Sequence, residues 1–107
     1  MTTKLLMAST ALALVSSAAL AEMNFNRIAS FLVCSQIDPD CNDDTETASE
    51  IVAASQDGNT LIYTDSEQEL IGFVDITNPY NPTADGTVDV GGEPTSVGFV
   101  KGYALAC

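Results

Sequence analysis

The sequence predicts an all-β fold, and three observations lead to that prediction. Beyond residue 21 the apolar residues occur in short runs rich in β-branched and aromatic side chains, which is typical of strands. Clusters of Gly, Pro, Asn and Asp separate these runs, as expected where a chain turns between strands. No stretch beyond residue 21 repeats its apolar residues at the spacing of a helix.

Turn signals bound the predicted strands. Asp57-Gly58 favours a hairpin between the second and third strands, and Lys101-Gly102 joins the last two. Residues 78–82 contain two prolines, which exclude a helix or a central strand there, and residues 91–94 form another turn. The predicted strands are residues 27–33, 50–55, 60–64, 70–77, 86–90, 95–100 and 103–106.

The composition is strongly acidic. The 107 residues include 15 acidic and 3 basic side chains and no histidine, which gives a formal net charge of -12. Such a surface repels phosphate backbones, so we expect no nucleic-acid partner. The absence of histidine excludes Ser-His-Asp and Cys-His catalytic groups and every zinc site that uses imidazole.

Residues 1–21 have the pattern of a secretory signal peptide. Lys4 precedes an apolar stretch over residues 5–20, and Ala19-Leu20-Ala21 matches an A-x-A cleavage site. The alternative is an uncleaved membrane anchor, but the stretch is short and rich in serine for a bilayer span of about 20 apolar residues. We therefore expect a secreted or periplasmic protein, comprising residues 22–107, with no membrane span after cleavage.

The redox state of the three cysteines depends on the compartment in which the protein folds. Cys34 and Cys41 lie seven positions apart, and in an oxidising compartment such a pair is expected to form a disulfide. The alternative is a pair of free, buried thiols. Cys107, the third cysteine, has no predicted partner.

An internal repeat suggests the arrangement of the strands. Residues 50–55 align with residues 96–101 at an offset of 46, and residues 58–61 align with residues 102–105 at an offset of 44. A four-stranded unit that recurs every 45 or so residues is typical of a β-propeller blade. The alternative is a chance similarity between two apolar hairpins. The predicted units are a closing strand (25–33), an acidic disulfide loop (34–48), a blade (49–90) and a partial blade (95–107).

The acidic loop is a candidate calcium site. The candidate ligands are Asp38, Asp40, Asn42, Asp44 and Glu50. The first four occupy the first, third, fifth and seventh places of a calcium-binding loop. Asp43 stands where such a loop needs glycine, Glu50 is one place late, and no flanking helices are predicted. The alternative is a solvated acidic loop.

Other carboxylates are candidate functional groups. Asp65, Glu67 and Glu69 follow a strand end and could face the mouth of a propeller, although alternating acids in a loop are usually solvated. Glu50 opens the predicted inner strand beside the central channel, where a carboxylate could hold a metal or act as a base. No serine lies in a G-x-S-x-G context, so a serine-esterase mechanism is not supported.

Four segments resemble a known family. The opening blades of secreted bacterial β-propellers with LVIVD-type repeats resemble residues 50–53, 57–64, 72–79 with Asn81-Pro82, and 91–97. The most specific element is Val74-Asp75-Ile76-Thr77-Asn78-Pro79. These proteins carry the labels choice-of-anchor, alkaline-phosphatase-like and "esterase-like activity of phytase". Members of the family are several hundred residues long, whereas this chain stops at Cys107 within its second blade. The resemblance therefore implies an N-terminal part of a propeller.

The resemblance also implies a function for the full-length form. A phytase-like propeller is expected to be a calcium-assisted phosphoric-ester hydrolase, with acidic side chains that hold the metal beside a phosphate-ester substrate. The chain as given is expected to be inactive alone, and its expected partners are the missing blades or a second copy. The alternative function is a non-catalytic secreted binding scaffold.

Overall fold

The computed structural model describes residues 24–107, and the signal-peptide prediction for residues 1–21 lies outside the described residues. The prediction of an all-β fold is confirmed, with one short 3-10 helix (Val33–Gln36) before the first strand. The strands are β1 (Ser49–Ala54), β2 (Thr60–Asp65), β3 (Leu70–Asp75), β4 (Thr83–Asp89), β5 (Val97–Val100) and β6 (Tyr103–Ala106). They form a four-stranded antiparallel sheet in the order β1-β2-β3-β4 and a two-stranded antiparallel sheet, β5-β6.

The predicted strand at residues 25–33 is wrong. Residues 24–32 have no regular secondary structure, and Val33 begins the 3-10 helix. A strand requires a neighbour that takes up its backbone hydrogen bonds. Part of this stretch, residues 28–33, instead lies over one face of the four-stranded sheet.

The hairpin turns lie at the positions that the sequence predicts. Lys101 (φ 48°) and Gly102 (φ 81°) both have positive φ, as a two-residue hairpin turn requires. The fourth strand begins at Thr83 rather than at residue 86, because the β3–β4 ladder continues past an irregularity opposite Phe73. There Gly72 pairs with Thr87 and Val74 with Ala84, so two residues of β4 lie opposite Phe73 and β4 has one extra residue at this point.

Side chains alternate between the two faces of the four-stranded sheet. The face that carries Leu61, Tyr63 and Val74 is called the Tyr63 face, and the opposite face carries Ile62 and Ile71. Ile62 is 0% exposed and Tyr63 3%, so β2 is buried on both faces, as expected for a strand between two layers. Residues 28–33 lie over the Tyr63 face, and β5 lies alongside β1 and β2.

The outer edge of the sheet is solvated. Every residue of β4 is exposed, and the strand carries Asp85 and Asp89 as well as one extra residue opposite Phe73. Charge and irregularity both discourage pairing with another strand. No helix among residues 24–107 is long and apolar enough to cross a membrane.

Candidate functional site

An apolar groove lies on the Tyr63 face of the sheet. A cavity of about 350 Å³ separates residues 28–33 from the sheet. Its walls include Ile28 and Phe31 from the N-terminal segment and Val52, Leu61 and Val74 from the sheet. Because these side chains are aliphatic or aromatic, the groove favours the packing of apolar surface.

Tyr63 forms part of this groove and is held by close packing. Its ring lies over Gly72 on β3, where a Cβ atom would overlap the ring. Burial raises the pKa of the Tyr63 phenol above its ordinary value, and the neighbouring Asp65 carboxylate raises it further. The phenol oxygen accepts a hydrogen bond from Gln36 Nε2 at 2.8 Å. Tyr63 is therefore a fixed, neutral wall of the groove.

Gln36 connects the N-terminal segment to three strands. Besides its bond to Tyr63 on β2, its Nε2 donates to the Phe73 carbonyl of β3 at 3.2 Å. Its Oε1 accepts from the Gly86 N–H of β4 at 2.9 Å. These two backbone groups lie where the β3–β4 pairing is interrupted, so the Gln36 side chain supplies the partners that the ladder lacks. Sequence reasoning missed Gln36, since no local pattern marks it.

The disulfide between Cys34 and Cys41 holds the segment that carries Gln36. The predicted pairing is confirmed, with the two Cα atoms 5.5 Å apart, and Cys107 is a free, exposed thiol. Cys34 lies within the 3-10 helix, two residues before Gln36. The cross-link therefore restricts the position of the Gln36 side chain against the sheet.

Asp38 organises the acidic loop through hydrogen bonds. Its Oδ1 accepts from the Asp40 N–H at 3.0 Å, and its Oδ2 accepts from the Asn42 N–H at 3.2 Å, the Asn42 side chain at 3.0 Å and the Thr45 hydroxyl at 3.2 Å. Both carboxylate oxygens are thus engaged within the loop. The backbone N–H groups of Asn42 and Asp40 lower the pKa of the Asp38 carboxyl below its ordinary value.

The candidate calcium ligands do not form a recognisable metal site in this structure. Asp40, Asn42 and Asp44 are exposed on the loop, and Glu50 is exposed on β1. Among residues 24–107 no three acidic or cysteine side chains are grouped so that they could hold a metal ion. Asp38 and Asn42 are brought together, but by hydrogen bonds to each other.

Acid is expected to loosen the acidic loop. Since the pKa of Asp38 is lowered in the folded protein, its bonds stabilise the loop above the unfolded pKa of about 3.9 and are lost as the pH falls through the lowered folded value. The protection of the Asp40 and Asn42 amides from hydrogen exchange, measured by NMR from neutral pH to about pH 2 relative to the intrinsic exchange rate at each pH, should fall in that window. Asp38→Asn should exchange faster already at neutral pH. Asp43→Asn is the matched control, and equal acceleration there would contradict the role of Asp38.

Asp65 is buried rather than solvated. It is 1% exposed, whereas Glu67 and Glu69 are exposed as the sequence suggested. Its Oδ1 accepts from the Ala48 N–H at 2.9 Å and from the Gln68 N–H at 3.2 Å, which ties the start of β1 to the β2–β3 turn. Its Oδ2 has no hydrogen-bond partner in the described structure.

The amide variant Asp65→Asn is expected to be at least as stable as the unaltered protein. Asparagine keeps the Oδ1 acceptor and removes the charge from a buried position, where an unpaired charge is costly. Asp65→Ala should lower stability, because it leaves two N–H groups without an acceptor. Urea unfolding of both variants measures the difference. Equal losses for Asn and Ala would mean that the charge itself is needed.

Comparison with models of protein families, with curated proteins and with solved structures found no match. The geometry of the site itself therefore indicates its chemistry. The arrangement offers apolar packing surface, a neutral buried phenol and carboxylates engaged in internal hydrogen bonds.

Proposed function

We propose that this chain is a non-catalytic packing module of a secreted β-propeller scaffold of the LVIVD-repeat type. In this proposal β1–β4 form one blade, and β5–β6 form the first half of the next blade. The observation that carries the proposal is the repeat in space: β5, the first strand of a hairpin with the sequence pattern of β1–β2, lies alongside β1 and β2. Successive blades of a propeller are related in this way.

The environment of the polar side chains supports a structural role. Gln36 completes the β3–β4 ladder, Asp38 holds the loop, and Asp65 ties β1 to a turn. Each of these side chains forms hydrogen bonds within the chain, and Asp65 does so through Oδ1 alone. The apolar groove and the strand buried on both faces supply surfaces that pack against other layers.

The disulfide is compatible with the secreted location that the proposal includes. Disulfides persist in oxidising compartments and are rare in the cytosol, and the loop contains one. The acidic composition keeps such a surface hydrated.

An assay of phosphate-ester hydrolysis separates the scaffold from the calcium-assisted hydrolase. Because this chain is expected to be inactive alone under either function, a full-length form that contains this chain and further blades is purified, incubated with a generic aryl phosphate in calcium or in a chelator, and titrated with calcium in a calorimeter. We expect no turnover and no calcium heat. Chelator-sensitive turnover that disappears in Asp38→Asn but persists in Asp43→Asn would favour the hydrolase and a metal role for the loop.

Packing between the two sheets provides a positive test of the scaffold. Phe99 on β5 is partly buried and lines a cleft with Ser55 and Asp57 at the β1–β2 turn, whereas its neighbour Val100 is 53% exposed. Phe99→Ala should lower the protection of β1 and β2 amides from hydrogen exchange, and Val100→Ala should not. Equal effects of the two variants would argue against packed blades.

A further inference from the structure

The groove on the Tyr63 face is a bounded space rather than an open surface. Residues 28–33 form one wall and the sheet forms the other, and a cavity of about 350 Å³ lies between them. The segment is anchored just beyond this wall, where Gln36 donates a hydrogen bond to Tyr63 and Cys34 is cross-linked to Cys41. Both walls are therefore held in place without a ligand.

The volume of the groove limits what it can hold. One turn of a helix with its side chains occupies roughly 500 Å³, as calculated from its pitch and diameter, which is more than the 350 Å³ present. An engineered apolar cavity of about 150 Å³ binds one benzene molecule, so this groove has room for roughly twelve non-hydrogen atoms. The space thus fits a small molecule and is too small for a helix of a partner protein.

The walls of the groove carry no charge. Among residues 24–107, those that line it are all uncharged, in a chain whose net charge is -12. A charged ligand would lose its hydration there without gaining a counter-charge. The hydroxyl groups of Ser30 and Ser49 line the groove together with the apolar side chains. The lining therefore matches an uncharged molecule with an apolar body and one hydroxyl group.

Apolar surface is left exposed on both walls. Ile28 in the segment is 56% exposed and Val52 on β1 is 62% exposed, and both line the groove. Water in an apolar space finds few hydrogen-bonding partners, so its displacement by an apolar molecule is favourable. A molecule that fills the groove would cover these two side chains and gain the associated hydrophobic free energy.

We propose that the groove is a binding site for a small, uncharged aliphatic molecule of the medium-chain alcohol class. The aliphatic chain contacts Leu61 and Val74, and the hydroxyl group bonds to the serine hydroxyls. This inference goes beyond the scaffold function. Residues 28–33 are the layer that packs on this face, and the ligand occupies the space that they leave.

Titration of the protein with butanol, hexanol, octanol and decanol tests the proposal. The methyl signals of Leu61 and Val74, observed by NMR, should shift and reach saturation. The dissociation constant should fall by about threefold or more for each added methylene, until the chain fills the groove. Octanoate and octylammonium have the same chain length and should bind about tenfold more weakly than octanol or worse, because a charge is desolvated there.

Charged substitutions on the two walls locate the binding. Val52 pairs with Tyr63 and shares its face, so Val52→Asp should weaken octanol binding by about tenfold or more. Ile28→Asp alters the other wall, outside any strand, and should have the same effect. Val88→Asp is the matched control, since Val88 is 51% exposed but pairs with Ile71 on the opposite face. Circular dichroism verifies that each variant keeps the fold.

Three outcomes would overturn the proposal. One is a set of methyl shifts that never saturates up to the solubility of each alcohol. Another is an equal loss of affinity in Val88→Asp, or tighter binding of either ion than of octanol. The third is a protein that sediments as a dimer whose dissociation shifts the same methyl signals, because a second copy would then fill the groove. None of these readouts involves turnover or calcium, so they leave the choice between scaffold and hydrolase unchanged.

Discussion

Gly72→Val is expected to destabilise the four-stranded sheet by about 3 kcal/mol, the upper part of the range for overpacking a core. A Cβ at this position would overlap the ring of Tyr63. The ring is held in place, because its hydroxyl oxygen accepts a hydrogen bond from Gln36 and Tyr63 is only 3% exposed. Any shift of Tyr63 also disturbs the contact between the N-terminal segment and the sheet. Denaturant unfolding followed by circular dichroism measures the change.

Gly98→Ala is the matched control for this substitution. Gly98 lies in β5, and no heavy atom lies within 4 Å of the position that a Cβ would take. This variant should unfold at nearly the same denaturant concentration as the unaltered protein. A further variant combines Gly72→Val with Tyr63→Ala and should lose less than the sum of the two single changes. Full additivity would mean that Tyr63 is not what opposes a side chain at position 72.

Gln36→Ala is expected to cost about 2 kcal/mol, because it leaves two backbone groups of the interrupted β3–β4 ladder without partners. The Phe73 carbonyl and the Gly86 N–H would then both need hydrogen bonds from water molecules. Amide exchange at Gly86 should accelerate in this variant, together with a lower free energy of unfolding. Gln56→Ala is the control, since Gln56 is exposed in the β1–β2 turn.

Reduction of the Cys34–Cys41 disulfide should weaken the same contact between Gln36 and the sheet. Without the cross-link the segment around Gln36 gains freedom, and the loss of stability follows mainly from that freedom. The effects of reduction and of Gln36→Ala should therefore be less than additive. Strict additivity would show that the disulfide and the Gln36 contacts stabilise the fold independently.

The strands of the two hairpins were predictable because their signals are local. Alternating apolar residues and turn pairs such as Lys101-Gly102 fix a hairpin within a few residues of itself. Residues 27–33 have the same composition as a strand, yet a strand also needs a partner, and the partner is not encoded nearby. The disulfide was predictable because its cysteines lie within one short loop.

The contacts of Gln36 and Asp65 were not predictable in the same way. Gln36 meets Gly86, which is 50 residues away in sequence, at an interruption of the ladder that no local pattern reveals. Asp65 stands beside Glu67 and Glu69 in an alternating acidic stretch, and only the turn after β2 determines which of the three is buried. The calcium ligands that the acidic spacing suggests at Asp38 and Asn42 stay a prediction, and the hydrogen bonds between these two residues were not evident from that spacing.

The distribution of aromatic side chains makes the protein its own spectroscopic reporter. The chain has no tryptophan and three tyrosines, so its ultraviolet emission comes from tyrosine alone. Tyr80 and Tyr103 are each 73% exposed and accessible to a soluble quencher, whereas Tyr63 is shielded beneath the N-terminal segment. Tyr80 and Tyr103 thus report on exposure to solvent. Tyr63 reports on the contact between the N-terminal segment and the sheet, which Gln36 and the disulfide maintain.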